Sequence, residues 1–471
     1  MITRCLGQVN QWLFRIIGIV ICIGTILSCA ATSKNPPQGI PLLWHRANLS
    51  GEPPRSPETL EIIPVMVDAK RLESTENTRF SLLLPDGELM TVVKSHQERV
   101  GGDGFVWHGK VENNPYSLVT FSVVKDMVIG TVIGSNRNFY RLNHGQGVVH
   151  YIEKVKFYDR PSPPPLIKLG PISTPPPSTD KTCKTDVPGD DGLWPIDVMV
   201  AYTNGALDDA GGIPDNIRNT VDISIGQANQ SYLDSGIKQK LNLVYLTEVT
   251  YPEDPNGNMA NNLAALNSGI ITDNQGVAIP KLRDAHGADV VVLIVKCKLP
   301  PGLPSDADCQ GGLSDENINP PSDDLAYSVV VDKHVSGPSF AFIHELGHVM
   351  GANHDYSDTS AGNQYPYSTG YNHGHVQPDT SAQNKITYPN WYPWGTIMAI
   401  YDGCQSCARV PVWSNSDPTK TWEGDPTGSK REDNARMLNE MLNEITTPNI
   451  ANFRCHVPPG TPIAPIDLKL R

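Results

Sequence analysis

His344 and His348 lie four residues apart in the stretch His344-Glu345-Leu346-Gly347-His348-Val349-Met350-Gly351-Ala352-Asn353-His354. On an α-helix that spacing puts both imidazoles on one face, where they can grip a single metal ion. Glu345 sits beside them, placed to contact a water on the metal rather than the metal itself. Gly351 lets the helix stop and the chain turn sharply, which brings His354 back as a third ligand. Three protein nitrogens leave a fourth position for water, which marks a catalytic rather than a structural Zn2+ site. The chemistry expected is hydrolysis. His344, His348 and His354 hold Zn2+, while Glu345 takes the proton of the attacking water and passes it to the leaving group.

Other metal-binding residue types carry less. His373 and His375 stand in Tyr371-Asn372-His373-Gly374-His375, a Gly/Asn-rich loop, and read as two solvated imidazoles rather than a second metal site. Asp306, Asp308 and Asp402 lack the spacing of a calcium loop and read as ordinary loop acids. His286 and His334 are lone. Cys404 and Cys407 have CxxC spacing with no second pair, so a local disulfide is expected there rather than a zinc ribbon.

The zinc helix must be carried by elements that repeat around it. Ile196 to Tyr202 reads as an apolar strand, and Ile213 to Leu233 as a helix with Ile217, Val221, Ile225, Ala228 and Tyr232 on one face. Leu241 to Val249 is a second strand, and a helix ending near Ala285 leads into Val290 to Val295. That third strand is apolar throughout, as buried parallel strands are. Ala326 to Val331 is a fourth and edge-like strand, suited to pairing with an extended substrate backbone. Ala435, Leu438, Leu442 and Ile445 mark a last amphipathic helix. Such alternation implies an α/β domain with an open sheet.

Upstream the pattern differs. From about Leu60 to Tyr158, short β-type runs alternate with turn signals, among them a hairpin of Ser117 to Val124 and Met127 to Ile133. No helix-period segment interrupts them, so a small all-β unit is expected. A stiff linker follows, crowded with prolines from Pro161 to Pro177, where proteases can reach the chain. At the N-terminus, Arg4 and Arg15 precede the apolar run Ile16 to Leu27 and the small residues Ser28-Cys29-Ala30-Ala31. This is the pattern of an export signal. Ile26-Leu27-Ser28-Cys29 resembles a bacterial lipobox, which would attach a lipid to Cys29 and the protein to a membrane; simple cleavage near Ala30 or Ala31 is the other reading. The divisions are then 1–31 signal, 32–160 β-rich propeptide-like unit, 161–195 linker, 196–457 catalytic domain and 458–471 tail.

Cysteine usage agrees with an extracytoplasmic, secreted or surface-anchored location. Of nine cysteines, three fall in the leader, leaving an even set in Cys183, Cys297, Cys309, Cys404, Cys407 and Cys455. Cys297 and Cys309 flank a Pro/Gly loop and are natural partners. Cys183 either pairs with Cys455 or reaches the zinc as a latency thiolate; parity favours the pair. The net charge of −13 excludes the basic footprint that a nucleic-acid partner demands.

With these residues in view, the chain resembles the metzincin metallopeptidases. That family has a tight turn with a methionine beneath the zinc, and Gly395-Thr396-Ile397-Met398-Ala399 supplies one, making Met398 a packed floor. Asp355 after the third histidine resembles the reprolysin branch and the bacterial peptidyl-Asp metalloendopeptidases. The latter likeness extends from Ile196 to Arg454 through Ile196-Asp197-Val198-Met199-Val200-Ala201-Tyr202-Thr203 and Arg409-Val410-Pro411-Val412-Trp413-Ser414-Asn415. Some metzincins place a tyrosine two residues after the turn methionine; Ile400 holds that position here, and Tyr401 receives no role. The resemblance implies a metzincin-like α/β catalytic domain with a twisted, mostly parallel sheet behind an all-β prodomain, and peptide or protein substrates. A non-enzymatic zinc-containing surface lipoprotein is the alternative, and the intact Glu345 argues against it.

Overall fold

The computed structural model describes residues 36–48, 53, 55–56, 58–74, 76, 78–100, 104–134, 138–145, 147–156, 182–183, 188–299, 309–314, 325–355, 365–373, 394–400, 408–443 and 455–456. The export signal, Cys404 and Cys407, His375, Tyr401, Asp306, Asp308 and Asp402 lie outside the described residues.

Alternating apolar runs build an antiparallel sheet of nine strands: β1 (Trp44–Arg46), β2 (Thr59–Val67), β3 (Arg79–Leu83), β4 (Leu89–Val100), β5 (Gly104–Val111), β6 (Asn114–Val124), β7 (Met127–Ile133), β8 (Phe139–His144) and β9 (Val149–Val155). Their order is β1-β2-β9-β8-β7-β6-β5-β4-β3. The amide of Leu43 donates to the carbonyl of Ser81 in β3, and Ser81 donates back to Pro41. The two ends of the sheet therefore meet, and closure into a barrel removes its edges. Period-two alternation explains its filling. Val119, Phe121 and Val123 of β6 point inward among Trp44, Phe80 and Trp107, whereas Leu118, Thr120 and Ser122 point outward yet are also buried. The unit is not purely β, since a short helix α1 (Ala69–Glu73) lies between β2 and β3 and seats Leu72 in the barrel core. Five residues are too few for a helical period to show in the sequence.

What covers the outward face of β6 is the second unit. After β10 (Thr182–Cys183) come β11 (Trp194–Thr203), α2 (Asn204–Asp209), α3 (Pro214–Ser235), β12 (Gln239–Thr250), α4 (Met259–Asn267), β13 (Thr272–Asp273), α5 (Ile279–His286), β14 (Val290–Val295), β15 (Gly312–Ser314), β16 (Tyr327–Val331), α6 (Ala341–Val349) and α7 (Asn434–Asn443). Helix α3 starts on Pro214, whose missing N–H costs nothing in the first turn, and stops on Gly236 at φ 73°. The sheet order is β13-β12-β11-β14-β16-β15. The central four strands run parallel, and β13 and β15 run antiparallel at the two edges. Val198, Val200, Val292 and Ile294 pack on α3 and α6. Met199, Ala201, Val291 and Leu293 pack with residues of α4 and α5 on the other face. Strand β14 is buried on both faces, each of its side chains worth about 1.5–3 kcal/mol relative to exposure.

The strand expected at the sheet edge is not there. β16, Tyr327–Val331, is flanked by β14 on one side and β15 on the other, so its backbone has no edge to offer a substrate. The edge is β15, and the disulfide Cys297–Cys309 lies between it and the end of β14. Thr182–Cys183 pairs antiparallel with Cys455–His456, Cys183 standing opposite Cys455.

The barrel docks on α3. Ser122 donates to Asn219 Oδ1 at 2.7 Å and Gln227 donates to Thr131 Oγ1 at 2.9 Å, both buried. Lys125 and Lys110 pair with Asp215 and Asp234 towards the two ends of the helix. A Cβ on Gly226 would fall 2.8 Å from His108 Cε1, so glycine there permits the close approach.

Candidate active site

Helix α6 carries the reactive face because its other face is needed for packing: Phe342, Ile343, Leu346 and Val349 are buried in the core shared with α3. His344 and His348 thereby emerge together. The helix ends at once, since Gly351 takes φ 96°, a conformation that penalises any side chain, and Ala352 donates back to Gly347 O at 2.8 Å. The chain then turns into Asn353–Asp355, and His354 Nε2 comes to 3.2 Å from His344 Nε2 and 2.9 Å from His348 Nε2.

The other ring nitrogens are committed elsewhere. His344 Nδ1 donates to Ile397 O at 2.8 Å, and His348 Nδ1 donates to Ala352 O at 3.0 Å. Such bonds fix the tautomer that leaves Nε2 with its lone pair, the form a metal requires. Burial, and then the charge of Arg409, hold the His344 pKa well below its ordinary value; burial and His354 do the same for His348. Both rings are therefore neutral at neutral pH. Three buried, converging nitrogens fit a zinc ion, and the three histidines form the cluster of metal-ligating groups found among the described residues.

Glu345 is buried beside them, and its Oε2 accepts a hydrogen bond of 2.9 Å from Ser314 Oγ of β15. Asp355 accepts a hydrogen bond from Asn372 Nδ2, which also donates to Ile400 O at 2.8 Å, so the end of the histidine turn is tied to the methionine turn. Met398 is fully buried beneath α6. A Cβ on Gly347 would lie 2.6 Å from Met398 Sδ and 2.9 Å from Trp413 Cη2, so helix, methionine and tryptophan are in direct contact. Arg409 is buried and donates to Ser339 O, just before α6, and to Ala399 O in the methionine turn.

Ser314 is not singled out by sequence reasoning, and Arg409 and Trp413 enter it only within a family resemblance and without a role, because no motif spacing links them to the histidines. His373 departs from expectation in another way. It is buried, stacked on Trp394 with ring centres 4.8 Å apart and 3.3 Å from Asp425, rather than solvated. It lies apart from the three-histidine cluster.

Comparison with known proteins agrees with this geometry. A model of metallo-peptidase family M12, of the reprolysin kind, matches residues 195–408. A peptidyl-Asp metalloendopeptidase of Stenotrophomonas maltophilia is 26% identical over 440 residues, covering 88% of this chain and 94% of its own. One of Xanthomonas campestris is 26% identical over 418 residues, covering 85% and 87%. A third, from Pseudomonas aeruginosa, is 26% identical over 283 residues, 56% of this chain and 41% of its own. Over residues 195–408 the chain thus carries a reprolysin-like metallo-peptidase domain of family M12, and along most of its length it is similar to the bacterial peptidyl-Asp metalloendopeptidases.

Proposed function

We propose that this protein is an exported, zinc-dependent endopeptidase whose general base is Glu345. The observation that carries the reading is the meeting of three buried Nε2 atoms beside a buried carboxylate. His344, His348 and His354 would hold zinc through Nε2. When bound, the ion supplies Lewis acidity, polarising the scissile carbonyl and lowering the pKa of a water toward neutrality. Glu345 would take the proton of the attacking water and deliver it to the leaving amine. The hydrogen bonds of His344 and His348 to main-chain carbonyls hold the rings in place while this happens. Asp355 and Met398 act by position, one bracing the turn after His354 and the other flooring the helix.

The substrates are proteins or peptides, and the name of the similar enzymes points to cleavage beside aspartate. An extended substrate would lie along β15, the edge strand, rather than along β16. Residues 32–160 act as a propeptide seated on α3, released by cutting in the part of the linker 161–195 that precedes β10. The leader exports the protein, with or without a lipid on Cys29. The deciding experiment uses the purified, processed protein on casein and a peptide library. Activity should vanish with a chelator, return with stoichiometric zinc, and fall by orders of magnitude in Glu345→Gln at unchanged zinc content. Zinc-loaded protein that cleaves nothing would end the enzyme reading, and full turnover by Glu345→Gln would place the base elsewhere.

A further inference from the structure

We propose that Ser314 is a positioning residue for the Glu345 carboxylate, and that Gly312 is what allows β15 to bring it there. Residues two apart on a strand share a face, so Gly312 and Ser314 both look toward α6. Leu313 turns the other way and packs against the core on the α4 and α5 side. The register is held by Gly312 opposite Val330 and Ser314 opposite Ser328. At Gly312 the strand runs close to the glutamate: a Cβ there would lie 2.6 Å from Glu345 Cγ and 2.8 Å from Oε1, an approach no other residue permits without displacement. At Ser314 the hydroxyl lies 2.9 Å from Oε2, with both residues buried.

The inference rests on reading Glu345 as the base. A base on a helix needs one carboxylate oxygen aimed at the water, and the terminal torsion of a glutamate is intrinsically broad. The Ser314 hydroxyl, fixed by the sheet, donates to one oxygen and so restricts that rotation. A hydrogen bond to a charged acceptor in a buried site is strong enough to do this. The edge strand that lies along the site would thus orient the base as well.

The test uses the full chain, processed and zinc-loaded, in four forms: wild type, Ser314→Ala, Ser314→Thr and Glu345→Gln. Ser314→Ala should lower kcat about tenfold with KM within about twofold, the lower end of what such a bond is worth. Ser314→Thr, which keeps the hydroxyl, should recover most of that loss. Zinc affinity, measured by chelator competition, should not change in Ser314→Ala. With cobalt in place of zinc, its visible bands should shift, because the carboxylate beside the metal's water has moved. Unchanged kcat in Ser314→Ala, a loss confined to KM, or no recovery in Ser314→Thr would overturn the proposal. If Glu345→Gln is inactive while Ser314→Ala turns over like wild type, this inference alone falls. If Glu345→Gln stays active, the base assignment falls first and takes the inference with it.

Discussion

Gly347 sits between the two helix ligands, on the face of α6 turned away from solvent, and its replacement by alanine tests the floor of the site. The added methyl would lie 2.6 Å from Met398 Sδ and 2.9 Å and 3.2 Å from two Trp413 ring carbons. Ordinary carbon contacts lie at about 3.5–4.0 Å, so the neighbours must retreat by roughly 1 Å. Met398 has rotatable bonds to spend. Trp413 does not move freely, since its Nε1 donates to Ser231 Oγ at 3.0 Å and its amide to Ser235 Oγ at 2.8 Å. Overpacking of this kind costs about 1–3 kcal/mol. Alanine in place of glycine returns about 0.8–1 kcal/mol of helix propensity. The balance is a destabilisation of up to about 2 kcal/mol, which in a chain of this size lowers Tm by a few degrees. The effect on zinc should be larger in proportion. Displacing Met398 moves its neighbour Ile397, whose carbonyl orients His344, and losing such an orienting contact costs about 10–100-fold in metal affinity. Thermal melts of the zinc-free protein and competition with a chromophoric chelator measure the two effects. A Gly347→Ala protein with undiminished Tm and undiminished zinc affinity would refute the packing argument.

Met398→Leu nearly conserves volume and should keep zinc and most activity, at a cost below roughly 1.5 kcal/mol; loss of the metal would mean that the sulfur does more than pack. Asp222 lies at the interface of α3 with the barrel, where burial pushes its carboxyl up to about 6 against the pull of Arg218. A carboxyl whose folded pKa is raised binds its proton more tightly when folded, so stability falls as pH rises from about 4 through about 6. Asp222→Asn should therefore raise Tm above pH 6 and lose that advantage below about pH 4, and a pH-independent difference would contradict the account. Non-reducing peptide mapping of the mature protein should yield a Cys183–Cys455 linked peptide, matching their opposed backbone positions. A mature chain lacking Cys183 and carrying a free Cys455 would point to the latency thiolate instead.

The three-histidine cluster was legible because its geometry is local. A spacing of four on a helix and a glycine able to take positive φ already put His344, His348 and His354 together, whatever the rest of the chain does. The same holds for β14, whose unbroken apolar run requires cover on both faces, and for the Cys297–Cys309 pair across its short loop. Strand order is a different matter. Ala326 to Val331 looks like an edge because nothing in its own residues reveals that a three-residue strand, Gly312–Ser314, will pair outside it. So short a strand has no period to read, and its place in the sheet comes from long-range hydrogen bonding. Ser314 reaches Glu345, and Trp413 reaches Gly347, across separations that carry no spacing signal. The face of α3 bearing Asn219, Asp222 and Gln227 is polar, yet it is buried, because the barrel supplies matching hydroxyls in Ser122 and Thr131 for Asn219 and Gln227. His373 is buried for a like reason, with Trp394 stacked over its ring. Residue types and spacings determined that the three histidines meet beside Glu345. Which surfaces are covered, and by what, was decided only when distant segments packed, because burial belongs to pairs of segments and not to either one.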